Sequence, residues 1–216
     1  MAQPFVKPRD AASVLIYRFR DGVPEVLVGR RLSRARFLPD MYVFPGGALD
    51  AADHRGSPIN LGSVDVARMG VGNRMAHAQA LVRAALREVR EETGLAAQSP
   101  DLTYIGRAIT PRRSPVRFHA RFFAAPDTGF NAHLHCDGEL QDLRWIALGN
   151  PEQLPLVDVT SFMLDELAAV LTGRALVPAL LCYRDGVLRA LRNAHLQPAL
   201  ERPAANTSRN RSSGMG

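Results

Sequence analysis

The stretch 75-MAHAQALVRAALREVREETGL-95 constrains this chain more than any other. Ala78, Leu81, Ala85, Leu86 and Val89 recur at spacings of three and four, which predicts a helix from about Met75 to Thr93. Gly94 supplies the stop, since glycine takes the left-handed turn that ends helices. The end of that helix is acidic: Glu88 shares a face with Glu91 and Glu92, three and four residues on. Like charges there repel, and the helix C-terminus is already negative. A hard divalent cation among the carboxylates resolves the conflict, and oxygen ligands favour Mg2+ or Mn2+. Arg87, four residues before Glu91, is placed to hold that carboxylate. The plainer reading is a solvated face laced with salt bridges to Arg83, Arg87 and Arg90. His77 lies on the helix away from the carboxylates and is expected in solvent.

The rest of the chain reads as alternating strands and turns. After a loose lead-in over residues 1–10, 11-AASVLIYRFR-20 and 24-PEVLVGRR-31 are two strands joined at Asp21-Gly22. A basic loop, 32-LSRARFLPD-40, leads into 41-MYVFPGG-47, a short apolar run stopped by Pro45, Gly46 and Gly47. Residues 54–74 lack periodicity and read as a loop. Strand-like runs follow at 102–110, 116–125 and 139–148, then a helical period over 160–173 with Thr160 as N-cap. Residues 177–191 suit a hairpin turning at Asp185-Gly186. Arg117, Phe118, Phe122 and Phe123 read as a plain strand with alternate burial, and His119 as a filler within it. His133 and His135 are not expected as ligands.

A chain of 216 residues can bury a full core, so a single domain over 1–197 is expected, followed by a Pro-, Ser-, Asn- and Arg-rich tail, 198–216, expected to be disordered. The longest apolar runs are too short to span a bilayer, and MAQPFVKPRD carries no secretory pattern. Cys136 and Cys182 form no CxxC or Cys/His cluster, which suits a reducing cytoplasm and argues against zinc or disulfide scaffolds. The net charge of +6 sits mostly on arginines, as in Arg30, Arg31, Arg34 and Arg36, and in Arg112, Arg113, Arg117 and Arg121. Guanidinium forks suit phosphate, although solvated arginine-rich faces would look the same.

Phe44-Pro45-Gly46-Gly47 and 87-REVREETGL-95 together resemble the Nudix hydrolase box, G-x5-E-x7-R-E-U-x-E-E-x-G-U. Arg87, Glu88, Val89, Glu91, Glu92, Gly94 and Leu95 match every specified position of its second half. The first half departs. Six residues after Gly47 stands Asp53 where the family has glutamate, and the arginine then due at 61 stands at 87. Counted backwards from Arg87, the glutamate position holds Gln79. The box therefore looks interrupted by an insertion over 54–79, with its first acid either moved to Asp53 or lost at Gln79.

The resemblance implies an α/β fold, the Nudix α/β/α sandwich with a mixed β-sheet. It implies a Mg2+-assisted hydrolase in which water attacks one phosphorus of an X–O–P–O–P–Y linkage, with Mn2+ an alternative ion. Glu88, Glu91, Glu92 and Asp53 would hold metal, Arg87 would support them, and the general base would be Glu88 or the loop residue Glu139. Arg30, Arg31, Arg34, Gly46 and Gly47 would meet substrate. The string 28-VGRRLSRARFLPDMYVFPGG-47, the interrupted box and 110-TPRRSPVRFHARFFAA-125 resemble the coenzyme A diphosphatase branch. ADP-ribose, NADH or a dinucleotide is the alternative substrate, and a silent nucleotide-binding regulator the alternative class. A small nucleotide-like ligand is the expected partner, with a homodimer possible in principle and neither membrane nor nucleic acid implied.

Overall fold

The computed structural model describes residues 6–59, 61, 63–72, 74–98, 101–131, 134, 135, 138–149 and 154–192. The strands are β1 (Arg9–Arg20), β2 (Val23–Arg31), β3 (Tyr42–Val43), β4 (Gly46–Ala48), β5 (Ala96–Ala97), β6 (Thr103–Ile109), β7 (Phe118–Pro126), β8 (Phe130–Asn131), β9 (Leu140–Ala147), β10 (Ala179–Arg184) and β11 (Val187–Arg192). The helices are α1 (Ser63–Arg68), α2 (Met75–Thr93) and α3 (Asp158–Leu171). The main sheet runs β11-β10-β6-β7-β1-β2-β3, with β4 against β1 and β9 against β2. It is mixed, because β1 pairs parallel with β7 and β6 parallel with β10, while the other pairs are antiparallel.

Alternation along β1 builds two cores at once. Ala12, Val14 and Ile16 meet Leu81, Val82, Ala85 and Val89 of α2 on one face. Leu15 joins Val26, Val28 and Phe122 against Met163, Leu164 and Leu167 of α3 on the other. Each such buried aliphatic side chain contributes roughly 1.5–3 kcal/mol relative to exposure, so both helices are held by packing more than by propensity. The chain is thus an α/β/α sandwich. No helix among the described residues is long and apolar enough to cross a membrane.

Several expectations need correction. Residues 54–74 are not wholly loop: α1 forms there, and Val66, Met69 and Val71 are buried in the α2-side core. A single helical turn and a half is too short to show a period, so tertiary burial decides it. β1 starts at Arg9, inside the supposed lead-in, because Arg9 pairs with Phe118. Thr160 lies buried within α3, whose N-cap is Val157. Phe122 and Phe123 are both buried, since helices cover both sheet faces and alternation gives no solvent side. His77 is half-buried against Asp10, 3.0 Å away, instead of facing solvent. The tail 198–216, His133 and Cys136 lie outside the described residues.

Candidate active site

The site forms where β4 and the end of α2 meet. β4 lies so close to β1 that a Cβ on Gly46 would collide with Ser13 and the Ala12 carbonyl. A Cβ on Gly47 would run into the Glu88 carboxylate. The two glycines therefore let backbone press directly onto the acidic helix face. The Gly46 N–H donates to Glu92 Oε2 at 2.8 Å. At the other side, Gly94 caps α2 with φ 76° and donates its N–H to the Arg90 carbonyl at 3.0 Å.

Glu92 is 3 % exposed. Burial pushes its carboxyl up to about 8; the Gly46 N–H works against this, and the charge of Glu88 adds to it. Glu88 is also raised, by burial first, with Arg87 opposing and Glu91 and Glu139 reinforcing. Glu91 is half-exposed and binds Arg87 Nη1 at 2.9 Å. The same Nη1 reaches Glu88 Oε1 at 2.8 Å. The remaining edge of the guanidinium forks onto Asp53, with Nε to Oδ1 and Nη2 to Oδ2 both at 3.1 Å, and Nη2 also meets the Ala48 carbonyl at 3.2 Å. Asp53 is 5 % exposed and its Oδ2 also accepts the Asp50 N–H at 2.8 Å. Asp53 thus spends both oxygens on Arg87 and its own turn.

Glu139 reaches the site from the start of β9, with Oε2 3.3 Å from Arg31 Nη2. Gly138 makes this approach possible, because a Cβ there would sit 3.0 Å from the Glu91 carbonyl and 3.3 Å from Glu92 Cα.

A cleft of about 540 Å³ opens from these groups across the α3 face of the sheet. Arg31, Gly46, Gly47, Glu88 and Glu139 border it, so five of the expected site residues come together. Arg30 and Arg34 do not border it: Arg30 lies 3.7 Å from Asp40, and Arg34 is exposed on the loop. Most of the wall is apolar, with Phe37, Phe44, Ile109, Phe118, Phe122 and Val159. Ser13, Thr110, Ser114, Asp158 and Tyr183 give it polar points, and the Tyr183 hydroxyl bonds Asp158. The sequence assigned none of them to the site. Thr110, Ser114, Phe118 and Phe122 fall in the 110–125 string, whereas Ser13 of β1, Phe37 of the β2–β3 loop, Asp158 and Val159 of α3 and Tyr183 of β10 lie far apart along the chain and share no local pattern.

Among the described residues no three His, Cys, Asp or Glu side chains form a ready-made metal cage. Arg87 Nη1 holds one oxygen of Glu88 and one of Glu91. The donor set nevertheless fits a hard cation. Glu92 is a buried carboxylate whose protein partner is one N–H, with Glu88 charge beside it, and a cation is what would let both ionise.

A NUDIX domain model matches residues 7–160. The chain is similar to a NUDIX hydrolase from Alicyclobacillus acidocaldarius, with 28% identity, TM-score 0.57, and coverage of 76% of this chain and 92% of that one. It shares its fold with a C. elegans Ap4A hydrolase, at 18% identity and TM-score 0.52 over 77% of this chain and 99% of that one. The NUDIX domain of Shewanella oneidensis NrtR, solved with ADP ribose, is alike at 16% identity and TM-score 0.51, over 77% and 90%. No match was found among curated proteins. Since the domain match spans the glycine loop, the acidic helix and the sheet that carries them, the chain belongs to the Nudix family and is a pyrophosphohydrolase of that family.

Proposed function

We propose that this enzyme is a Mg2+-dependent hydrolase that cuts the pyrophosphate linkage of coenzyme A or an acyl-coenzyme A. Nudix hydrolases generally use divalent ions, and Mn2+ would suit the same oxygen donors. The observation that carries the metal reading is Glu92, buried beneath Gly46 with Glu88 charge beside it. Glu88, Glu91 and Glu92 would hold the ion, which when bound neutralises charge developing on phosphate oxygens. Asp53 supports from behind by occupying Arg87, in place of the direct ligation its spacing first suggested. Arg31 faces the cleft and is the cation placed to meet a phosphate oxygen. Glu88 or Glu139, both bordering the cleft, takes the proton of the attacking water.

The apolar wall favours a substrate whose second arm is long and mostly uncharged. An acylated pantetheine has that character, with amides for Thr110, Ser114 and Tyr183 to meet. A flat base would also suit Phe37, Phe118 and Phe122, which keeps ADP-ribose, NADH or a dinucleotide as the second reading. The test is turnover of coenzyme A, acyl-coenzyme A, ADP-ribose, NADH and diadenosine polyphosphates with Mg2+, Mn2+ and EDTA. Highest kcat/KM on coenzyme A substrates is expected. A preference for ADP-ribose overturns the substrate assignment, and tight nucleotide binding without turnover would mark a silent regulator.

A further inference from the structure

Three side chains on one face of α2 clasp the preceding segment at regular intervals. Gln79, Arg83 and Arg87 are four residues apart, roughly one helical turn or 6 Å each. Gln79 Nε2 donates to the Ile59 carbonyl at 3.1 Å. Arg83 Nε donates to the Asp53 carbonyl at 2.7 Å, and its Nη1 to the Ser57 carbonyl at 3.0 Å. Arg87 takes the Asp53 carboxylate and the Ala48 carbonyl. The chain from 48 to 59 thus runs antiparallel along the helix, fastened at each turn. Gly56 fits the scheme: it has φ +133°, and a Cβ there would press on Arg83 Cδ at 3.1 Å.

We infer that residues 48–59 form a strap and that Arg83 is a positioning residue for the metal carboxylates. The inference rests on the proposed metal role of Glu88, Glu91 and Glu92. Arg83 fixes the backbone of Asp53, and Asp53 in turn fills Nε and Nη2 of Arg87. Only Nη1 then remains for the glutamates, touching one oxygen of each and leaving the others free for a cation. With the strap released, the Arg87 fork can turn onto Glu88 and Glu91 and compete with the ion. A guanidinium favours such two-point contacts with carboxylates. Gln79 gains a purpose in the same scheme: at a position where a box glutamate would be counted, an amide donor anchors the far end of the strap.

The experiment compares wild type, Arg83→Ala, Arg83→Lys and Gln79→Ala. Mn2+ binding is read by electron paramagnetic resonance without substrate, and amide exchange over residues 50–59 and 87–92 by mass spectrometry. Arg83→Ala is expected to weaken Mn2+ about tenfold, the scale seen when a residue behind metal ligands is lost. Its exchange at 50–59 rises, and its activity falls at limiting metal and recovers as the metal concentration is raised. Arg83→Lys, which keeps one donor, recovers part of the affinity; Gln79→Ala has the smallest effect. Wild-type affinity and exchange in Arg83→Ala overturn the strap. Absence of Mn2+ binding in wild type overturns the metal reading instead, and the strap then stands or falls on exchange at 50–59 and 87–92 alone.

Discussion

Replacing Glu92 by glutamine should stabilise the metal-stripped protein while abolishing its activity. The Glu92 carboxyl is pushed up to about 8 in the fold against 4.5 for a free glutamate, chiefly because it is buried. Its folded form therefore holds a proton that the unfolded chain has released. This group favours folding most below pH 4.5, and the advantage drains away as pH rises toward 8. At about 1.4 kcal/mol per pH unit, the loss by pH 7.5 is about 4 kcal/mol. Glutamine mimics the protonated acid, since its oxygen can still accept the Gly46 N–H, so the variant escapes the loss. The assay is chemical denaturation in EDTA from pH 5 to 8. Wild type should weaken steadily across that range and recover when Mg2+ is added, as ligand binding to the native state requires. Glu92→Gln should show a flatter profile and little response to Mg2+. A wild type equally stable at both ends, or a variant less stable at pH 7.5, would refute the reasoning.

Other substitutions separate the roles of neighbouring groups. Glu88→Gln and Glu91→Gln should each lower kcat at saturating Mg2+ by more than about a hundredfold, on the scale of losing an acid–base group or ion ligand, with circular dichroism unchanged. Asp53→Asn should cost activity less than Glu92→Gln and lower stability by about 1–3 kcal/mol, because the Arg87 guanidinium keeps its charge and loses half its fork; a loss as deep as that of Glu92→Gln would make Asp53 a direct ligand. Gly47→Ala should cut turnover sharply at nearly constant fold, since its Cβ takes the place of the Glu88 carboxylate; wild-type rates would disprove that contact. His119 is held down to about 4 by burial, then Arg121 and Arg107, so it contributes stability above pH 6.5 that is lost as pH falls toward 4, about 3 kcal/mol in all. His119→Gln should unfold less steeply over that window in urea titrations.

The helix and its glutamates were legible because both signals are local: a 3.6-residue period over α2, and like charges crowded at its C-terminal end. The arginines show where locality fails. Arg30 and Arg31 are neighbours on β2, and neighbours on a strand face opposite sides, so a run of basic residues cannot all reach one cleft. Arg31 borders the cleft with Glu139, whereas Arg30 lies by Asp40. Arg30, Arg31 and Arg34 are expected from sequence to meet one phosphate site, and the pleat of β2 parts the first two.

The first acid of the box poses a harder case, because counting gives two positions and physics must choose between them. Counted from Gly47 it is Asp53, and counted back from Arg87 it is Gln79. Along a chain these counts are equally good, since neither says which segment returns to the helix. In the fold each residue takes a partner that its chemistry can satisfy. A carboxylate that is 5 % exposed needs a cation, and Asp53 finds the whole Nε–Nη2 edge of Arg87. The half-buried Gln79 needs only an acceptor, and finds the Ile59 carbonyl. A glutamate at Gln79 would face that carbonyl with no proton to donate, so Gln79→Glu would loosen the strap and restore no acid near Arg87. Two residues that look like competing candidates in sequence are in space successive fastenings of one segment, with Arg83 between them.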